Sequence, residues 1–268
     1  MVKLRVLSLG AGVQSTTLAL MAAHGEVTPM PDCAIFADTG AEPEPVYRQL
    51  DWLMSGNVLP FPVHVVQKGN LYNDLMNGVN LTGHRFASIP FHGISPKGRD
   101  MMARRQCTHE YKISCIRAEV KRLMGGRSKG GCEMWIGIST DEVMRAKPST
   151  VQYIINRHPL IELEMRRWDC LQWLQRHGYP DPPKSACTFC PFRQNAEWRW
   201  LRDNDPEGWK QAIEVDEALR AHGKAGRFDS KLFLHRDRVP LAEVDIRSDE
   251  DRGQINLFNN ECEGICGV

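Results

Sequence analysis

Nine cysteines are the feature of this 268-residue chain with the clearest chemical meaning. Two pairs are closely spaced, Cys187-x-x-Cys190 and Cys262-x-x-x-Cys266. The first pair lies between Pro182-Pro183 and Pro191, so we expect it at a turn where two thiolates can hold one metal centre. Tetrahedral sulfur ligation suits both zinc and iron–sulfur clusters, and the spacing leaves the two open. Free or redox-active thiols are the third interpretation.

A second candidate site is a glycine-containing turn between a predicted strand and a predicted helix. It covers Ser8-Leu9-Gly10-Ala11-Gly12-Val13-Gln14-Ser15-Thr16. Backbone N–H groups in such a turn approach a phosphate closely, and the helix N-terminus adds a favourable potential. The hydroxyls of Ser15 and Thr16 are candidate donors to the same anion. The spacing is neither G-x-x-x-x-G-K-[ST] nor a full G-x-G-x-x-G, which disfavours those two nucleotide-binding loops.

Asp38-Thr39-Gly40 follows the next predicted strand. In open α/β sheets ligands bind just beyond the carboxyl ends of the strands, so Asp38 is a candidate for a ribose hydroxyl or a magnesium ion. A helix-capping role explains the same residue equally well.

The elements that must position these residues alternate between strand and helix. Strands are predicted at 2–9, 33–37, 62–66 and 133–138, and helices at 15–23, about 45–54 and 116–124. This order predicts an α/β fold with a mainly parallel sheet and flanking helices. Residues 77–105 lose the hydrophobic period, and we predict a long functional loop or lid there. Further helices at 162–177, 194–202 and 206–221 suggest a nucleotide-binding domain at 1–165 and a smaller helical, cysteine-containing region at 166–268.

Several motifs together resemble one family. Ser8-x-Gly10-x-Gly12-x-x-Ser15-Thr16 resembles S-x-S-G-G-x-D-S, the pyrophosphate (PP) loop of the adenine-nucleotide α-hydrolases. Asp38-Thr39-Gly40 resembles the D-T-G of the phosphoadenylylsulfate (PAPS) and adenylylsulfate reductases. The remaining matches follow in the family's order. Residues 105–113 resemble C-C-x-x-R-K-V-x-P-L, and residues 137–142 with Arg145 resemble G-x-R-x-x-E-S-x-x-R. Residues 158–161 resemble Y-P-L-I, and Cys187-Thr188-Phe189-Cys190 stands where the second C-x-x-C lies.

The resemblance implies a Rossmann-like fold that binds ATP or a PAPS-type adenine nucleotide with Mg²⁺. It also implies a [4Fe–4S] cluster on Cys107, Cys187 and Cys190, with zinc as the alternative. The fourth ligand would be Cys266, Cys262 or Cys115, or it would be missing. Family members also occur in phages and beside type IV CRISPR loci, and relatives insert sulfur into DNA.

Catalytic roles are predicted for three residues. Lys112 and Arg145 would clamp phosphate or sulfate, and Cys262 would be a mobile nucleophile from the chain end. Arg157 is a weaker candidate clamp, and His109 and His158 are weaker candidate acid–base groups.

The chain also departs from the family pattern. Gln14 stands in place of the loop aspartate, Gly10 in place of a serine, and Thr108 in place of the second cysteine of C-C. The tail 261–266 resembles the reductases' E-C-G-L-H but has one inserted residue and a cysteine where the histidine would fall.

Composition excludes several function classes. Lys and Arg number 34 against 33 Asp and Glu, which argues against a strongly basic nucleic-acid binder. The arginines and tryptophans of 192–202 would suit a single-stranded nucleic-acid platform, although a packed amphipathic helix is the favoured interpretation. No apolar run is long enough for a bilayer and no secretory signal is visible, so we expect a cytoplasmic protein that binds no membrane.

The sequence therefore predicts a PAPS-reductase-like enzyme of the ATP α-hydrolase type. It would couple nucleotide activation to sulfur transfer or reduction at a cysteine-held centre. The alternatives are a true PAPS or adenylylsulfate reductase, and a non-catalytic nucleotide-binding or nucleic-acid-associated subunit of a defence complex.

Overall fold

The structure is a computed structural model that describes residues 2–83, 86, 88–126, 131–222, 230–247, 251 and 253. Cys262 and Cys266, predicted as nucleophile and metal ligand, lie outside the described residues.

The described strands are β1 (Leu4–Leu9), β2 (Cys33–Asp38), β3 (Val63–Gln67), β4 (His92–Ile94), β5 (Asp100–Met102), β6 (Cys132–Ile136), β7 (Ile154–Arg157) and β8 (Lys231–Phe233). Five of them form a fully parallel sheet in the order β3-β2-β1-β6-β7. The predicted α/β fold class, with a mainly parallel sheet, is therefore confirmed. The strand order reverses at β1, between β2 and β6, and open α/β sheets bind their ligands at such a point.

The described α-helices are α1 (Val13–Ala23), α2 (Glu44–Met54), α3 (Leu71–Met76), α4 (Ser114–Leu123), α5 (Pro159–Glu162), α6 (Arg167–Arg176), α7 (Asn195–Asn204) and α8 (Pro206–His222). A π-helical turn, Thr108–Ile113, runs directly into α4.

Helices cover both faces of the parallel sheet. On one face α1, α2 and α6 pack over Leu7 and Phe36, and on the other α4 packs over Val6 and Ile35. The strands read as continuous apolar runs because both of their faces are buried. The loops at the strand ends are thereby held at fixed positions.

The stretch 77–105 is not a structureless lid, which corrects that part of the prediction. It contains β4 and β5, and β4 also pairs with the distant β8 to give an antiparallel sheet in the order β5-β4-β8. Phe91 in this stretch is buried with Trp198 of α7 and Val215 of α8. Local periodicity did not reveal these strands because each has only three residues, and the second partner of β4, β8, lies far away in sequence.

The division at residue 165 stays a prediction. The helix that follows it, α6, packs against α1, with Cys170 and Trp173 in the same core as Leu18. Within the described ranges, no helix combines the length and apolar character that crossing a bilayer requires.

Candidate functional site

A cavity of about 270 Å³ opens at the carboxyl end of β1. Its lining includes the glycine turn, the first turn of α1, the end of β2 and the π-helical turn. A second cavity of about 50 Å³ adjoins it, and Thr108, Lys112 and Ser185 line both. Most of the candidate site residues predicted from the sequence line one of these two cavities.

The glycine turn presents backbone donors to the larger cavity. Gly12 is the N-cap of α1 and no side chain caps the helix, while Gly12, Val13, Gln14 and Ser15 all line the cavity. The first N–H groups of a helix have no partner within the helix, so this end is suited to an anion. The Ser15 hydroxyl stiffens the turn, because it accepts from Gly10 N–H at 3.1 Å and donates to the Gly12 carbonyl at 3.3 Å.

Two neighbouring segments press closely on this turn. A Cβ atom added to Gly137, just after β6, would lie 2.9 Å from the backbone nitrogen of Ser15. A Cβ atom on Gly12 would lie 3.1 Å from the Ser185 side chain. Gly137 is needed because a side chain there would displace the Ser15 backbone, and a side chain at position 12 would push against Ser185.

The charged residues around the larger cavity favour an anion. Four cations line it, Lys112, Arg145, Arg167 and Lys184, against the two carboxylates of Glu142 and Glu197. Arg145 is paired with Glu142, and Lys184 with Glu197. The sum over the lining residues is positive, which complements a phosphate chain.

Gln14, in place of the family's aspartate, is part of a polar network. Its amide nitrogen donates to Glu142 Oε2 at 3.2 Å and to Ser139 Oγ at 3.4 Å. Its amide oxygen accepts from Arg167 at 3.1 Å. The neutral side chain thus joins the start of α1 to an acid and a base from two other segments.

The lining of the same cavity also includes apolar residues, Leu9, Phe36, Ile113, Ile116 and Ile136. A cavity whose lining combines backbone donors and cations with aliphatic and aromatic carbon can take a flat base and a charged chain together.

Three predicted metal ligands, Cys107, Cys187 and Cys190, line the second cavity together. Cys107 immediately precedes the π-helical turn, a feature that often marks functional sites. Arg193, which is only 5% exposed, fixes the Cys187–Cys190 turn by donating to the carbonyls of Ala186 and Cys187 at 2.8 and 3.1 Å. The turn is therefore rigidly positioned.

Thiolates hold both zinc ions and iron–sulfur clusters, so these three cysteines are candidate ligands for either group. Cys115 lines neither cavity and donates its S–H to the Tyr111 carbonyl at 3.1 Å, so it is not placed as the fourth ligand.

Lys112 connects the two cavities electrostatically. Its Nζ lies 2.9 Å from Oε1 of Glu42, a residue that is only 5% exposed. Burial opposes the charge on Lys112, but Glu42 and the Cys187 and Cys107 sulfurs outweigh it and raise the pKa of Lys112.

Burial raises the pKa of the Cys187 thiol to about 12, with Glu42 adding to the rise and Lys112 opposing it. Burial also raises the pKa of Cys107, against the effect of Arg105 and Lys112. Burial thus favours the protonated form of both thiols in the free chain, and a metal ion bound there would release protons.

Some predicted site residues lie away from the cavities. The side chains of Ala11 and Thr16 are fully buried and line neither one. Asp38 accepts from Gly40 N–H and from the Tyr47 hydroxyl, both at 2.8 Å, and also lines neither cavity.

Thr39 lines the second cavity, with its hydroxyl 3.6 Å from Cys187 Sγ. Gly40 adopts φ +67°, where an added Cβ would meet the Asn70 side chain at 2.4 Å. The weaker candidates Arg157, His109 and His158 line neither cavity.

Other residues of the site were not found from the sequence. They are Arg167, Lys184, Ser185, Gln194 and Glu197 at the larger cavity, and Arg193 beneath the cysteine turn. Lys184 and Ser185 lie within three residues of the C-x-x-C segment, and that proximity was the available signal.

The proposed nucleic-acid platform at 192–202 is largely packed instead. Trp198 is fully buried, and Arg193 lies over its ring at 5.8 Å while bonding the cysteine turn. Trp200 is 44% exposed. The amphipathic interpretation fits this helix better.

No protein-family model matches the chain, and no curated protein does. Among solved structures it is similar to a phosphoadenylyl-sulfate (PAPS) reductase from Candida auris, in a phosphate complex, with a TM-score of 0.43 and 10% identity. The similarity covers 66% of this chain and 74% of that one. This is a likeness of fold.

Proposed function

We propose that the chain is an adenine-nucleotide-binding enzyme that brings an activated nucleotide next to a cysteine-held centre for sulfur transfer or reduction. The observation that carries this proposal is the adjacency of the two cavities. One combines an uncapped helix N-terminus with surplus cations, the other contains Cys107, Cys187 and Cys190, and Lys112 lines both.

The nucleotide would lie with its phosphates at the start of α1 and its base against apolar residues of the lining. Backbone N–H groups of residues 12–15 would donate to the phosphate oxygens, and Lys112 and Arg145 would balance their charge. Ser15, already hydrogen bonded within the turn, would keep the backbone donors aligned. Magnesium binding by Asp38 stays a prediction.

With ATP, the proposed reaction is attack by a substrate oxygen on the α-phosphorus. A new P–O bond forms, the α–β bridging P–O bond breaks, and its electron pair leaves with pyrophosphate. The cations beside the turn would stabilise the charge that grows on the leaving group. The adenylated oxygen is then a good leaving group for a later attack by sulfur.

Cys107, Cys187 and Cys190 in the second cavity would hold a [4Fe–4S] cluster, with zinc as the alternative. Bound there, a cluster supplies electrons or carries sulfur for transfer. Around it, Arg193 would hold the cysteine turn in place, and Lys112 would attract the anionic end of the substrate toward the thiols.

The first experiment measures binding to the full chain purified without oxygen. Calorimetry with Mg²⁺–ATP and with PAPS, and a visible spectrum, test the two cavities separately. We expect saturable binding of one nucleotide and a brown sample with a broad band near ~400 nm. If neither nucleotide binds, the proposal is wrong.

A second experiment separates the candidate reactions. Pyrophosphate release from ATP supports the α-hydrolase reaction, whereas sulfite release from PAPS with a thiol donor, lost in Cys262→Ser, supports reduction. A protein that binds nucleotide, contains iron and turns over neither compound is a binding subunit. The hydrogen bonds of the Gln14 side chain with Glu142 and Arg167 are the observation that favours a binding subunit.

A further inference from the structure

A third cluster of chemistry-bearing side chains lies at the far end of α1 from the glycine turn. His24 is the C-cap of α1, Glu26 follows it by two residues, and His177 is the C-cap of α6. One ligand atom from each residue lies within 4.8 Å of the other two. We propose that His24, Glu26 and His177 bind one divalent transition-metal ion, with zinc as the preferred ion.

The separations are close to those of a bound ion. His177 Nε2 lies 3.7 Å from Glu26 Oε1. Two such ligands on zinc, with bonds of about 2.0–2.1 Å, stand roughly 3.3 Å apart, so small side-chain rotations complete the geometry. Imidazole and carboxylate are ligands that zinc accepts readily.

Each ligand is oriented by a second hydrogen bond, as metal ligands in proteins usually are. The Trp173 indole N–H donates to Glu26 Oε2 at 2.9 Å, which leaves Oε1 facing His177. The Trp173 carbonyl lies 2.8 Å from His177 Nδ1, and a carbonyl only accepts. Nδ1 therefore donates to this carbonyl, which leaves Nε2, 3.7 Å from Glu26 Oε1, as the nitrogen that can bind an ion. His24 Nε2 is 2.9 Å from the Tyr179 hydroxyl, so Nδ1 is the His24 nitrogen that would bind the ion.

The rings are also held by packing. His177 stacks on Trp173 with centroids 3.9 Å apart, and His24 contacts the edge of the same indole at 5.5 Å. The carboxyl ends of α1 and α6 meet here, and the negative ends of two helix dipoles favour a cation. The side chains of His177 and Glu26 are 32% and 38% exposed, so solvent ions reach them.

This site is separate from the proposed nucleotide and thiol site. None of its three residues lines either cavity, and α1 spans about 16 Å between the two ends. Among the described residues, His24, Glu26 and His177 form the group of three His, Cys, Asp or Glu residues whose ligand atoms all lie within 4.8 Å of one another.

The test measures zinc bound to the full chain by equilibrium dialysis. We expect wild type to bind one zinc ion per chain that His24→Gln, Glu26→Gln and His177→Gln lose. Glu26→Gln is the sharpest variant, because the amide oxygen still accepts from Trp173 while the charge disappears. His64→Gln is the matched control, since His64 faces a single carboxylate, Glu119 at 3.4 Å, and should leave the zinc content unchanged.

Two further variants decide which site holds the ion. Tyr179→Phe keeps all three ligands and should weaken zinc binding about tenfold, the effect of losing an orienting hydrogen bond. Cys187→Ser should retain this zinc ion. Zinc that is lost in Cys187→Ser but kept in Glu26→Gln and His177→Gln overturns the proposal, and so does wild-type protein that binds none.

A second readout does not depend on stoichiometry. Ni²⁺ quenches nearby tryptophan fluorescence, and Trp173 contacts all three proposed ligands. We expect saturable quenching in wild type and in His64→Gln, and a much weaker response in Glu26→Gln. Equal quenching in Glu26→Gln and wild type would contradict the site.

Discussion

Lys112 lines both cavities, and its ammonium group is paired with the buried carboxylate of Glu42. Lys112→Met should weaken nucleotide binding by about 10- to 100-fold, because a charge-assisted hydrogen bond is worth about 1.5–3 kcal/mol. It should also lower the free energy of unfolding by about 3 kcal/mol, since Glu42 is left buried and unpaired. Calorimetry and urea unfolding measure the two effects.

The double variant Lys112→Met/Glu42→Gln separates them. Removing the carboxylate charge should recover most of the lost stability, while nucleotide binding stays weak. If binding recovers together with stability, Lys112 acts only as a structural partner of Glu42.

Gln14 carries the second prediction at the scale of single residues. Gln14→Glu keeps the shape but replaces a donor with a charge beside Glu142, whose Oε2 lies 3.2 Å from the amide nitrogen. We expect a loss of about 1–3 kcal/mol in the free energy of unfolding, together with weaker ATP binding. Gln172→Glu, in an exposed amide pair with Gln175, is the control and should change neither quantity. Unchanged ATP binding in Gln14→Glu would detach this network from the proposed nucleotide site.

At the scale of elements, the start of α1 is held in place by the end of β6. Gly137→Ala puts a methyl group 2.9 Å from the Ser15 backbone nitrogen, so the glycine turn must shift. We expect a cost of about 1–3 kcal/mol in stability and weaker nucleotide binding. Gly56→Ala is matched, because its added Cβ would meet nothing within 4 Å, and it should behave as wild type. Equal ATP affinities for the two variants would rule out a role for the turn.

The elements of the parallel sheet were predictable because their signals are local. The strand at 33–37 is one apolar run, and the structure has it as β2, Cys33–Asp38. The helix at 206–221 likewise corresponds to α8, Pro206–His222. The three-residue strand β4 was not predictable, because three residues show no period and one of its two partners, β8, lies about 140 residues later.

The residues of the candidate site, too, were predictable where their signal is local in sequence. The glycine turn and Cys187-x-x-Cys190 were found because their residues are adjacent in sequence. Arg167 and Ser185 were missed because only the packed chain brings them to α1. Asp38 matched the family motif, yet its carboxylate accepts from Gly40 and Tyr47, so a motif match alone did not place it in a cavity.

For the molecule as a whole, the described part of the chain consists of a parallel α/β layer and a second core of α3, α7, α8 and the small antiparallel sheet. The two cavities lie where these parts meet. The larger is built on β1, β2 and β6, and the smaller is closed by Ile89, Phe189 and the cysteine turn. Nucleotide and thiol chemistry in this arrangement would depend on both cores staying packed together.

That packing should show a definite dependence on alkaline pH. Burial raises the pKa of Cys33 from its ordinary 9.0 to about 11, and that of Cys132 and of Cys170 to about 12. The folded state therefore keeps these thiols protonated after the unfolded chain has begun to lose its thiol protons. Their contribution to stability is complete below pH 9 and is lost as the pH rises toward the folded-state pKa values.

Urea unfolding between about pH 8 and pH 11 measures this effect. Tyr47 and Tyr111 contribute with the same sign, because burial and neighbouring carboxylates raise their pKa values too. The comparison with Cys170→Ala isolates one thiol. This variant should be less stable at pH 8, because it leaves a cavity in the core, but its stability should fall less steeply above pH 9. Parallel curves for wild type and Cys170→Ala would mean that the Cys170 thiol titrates alike in the folded and unfolded chain.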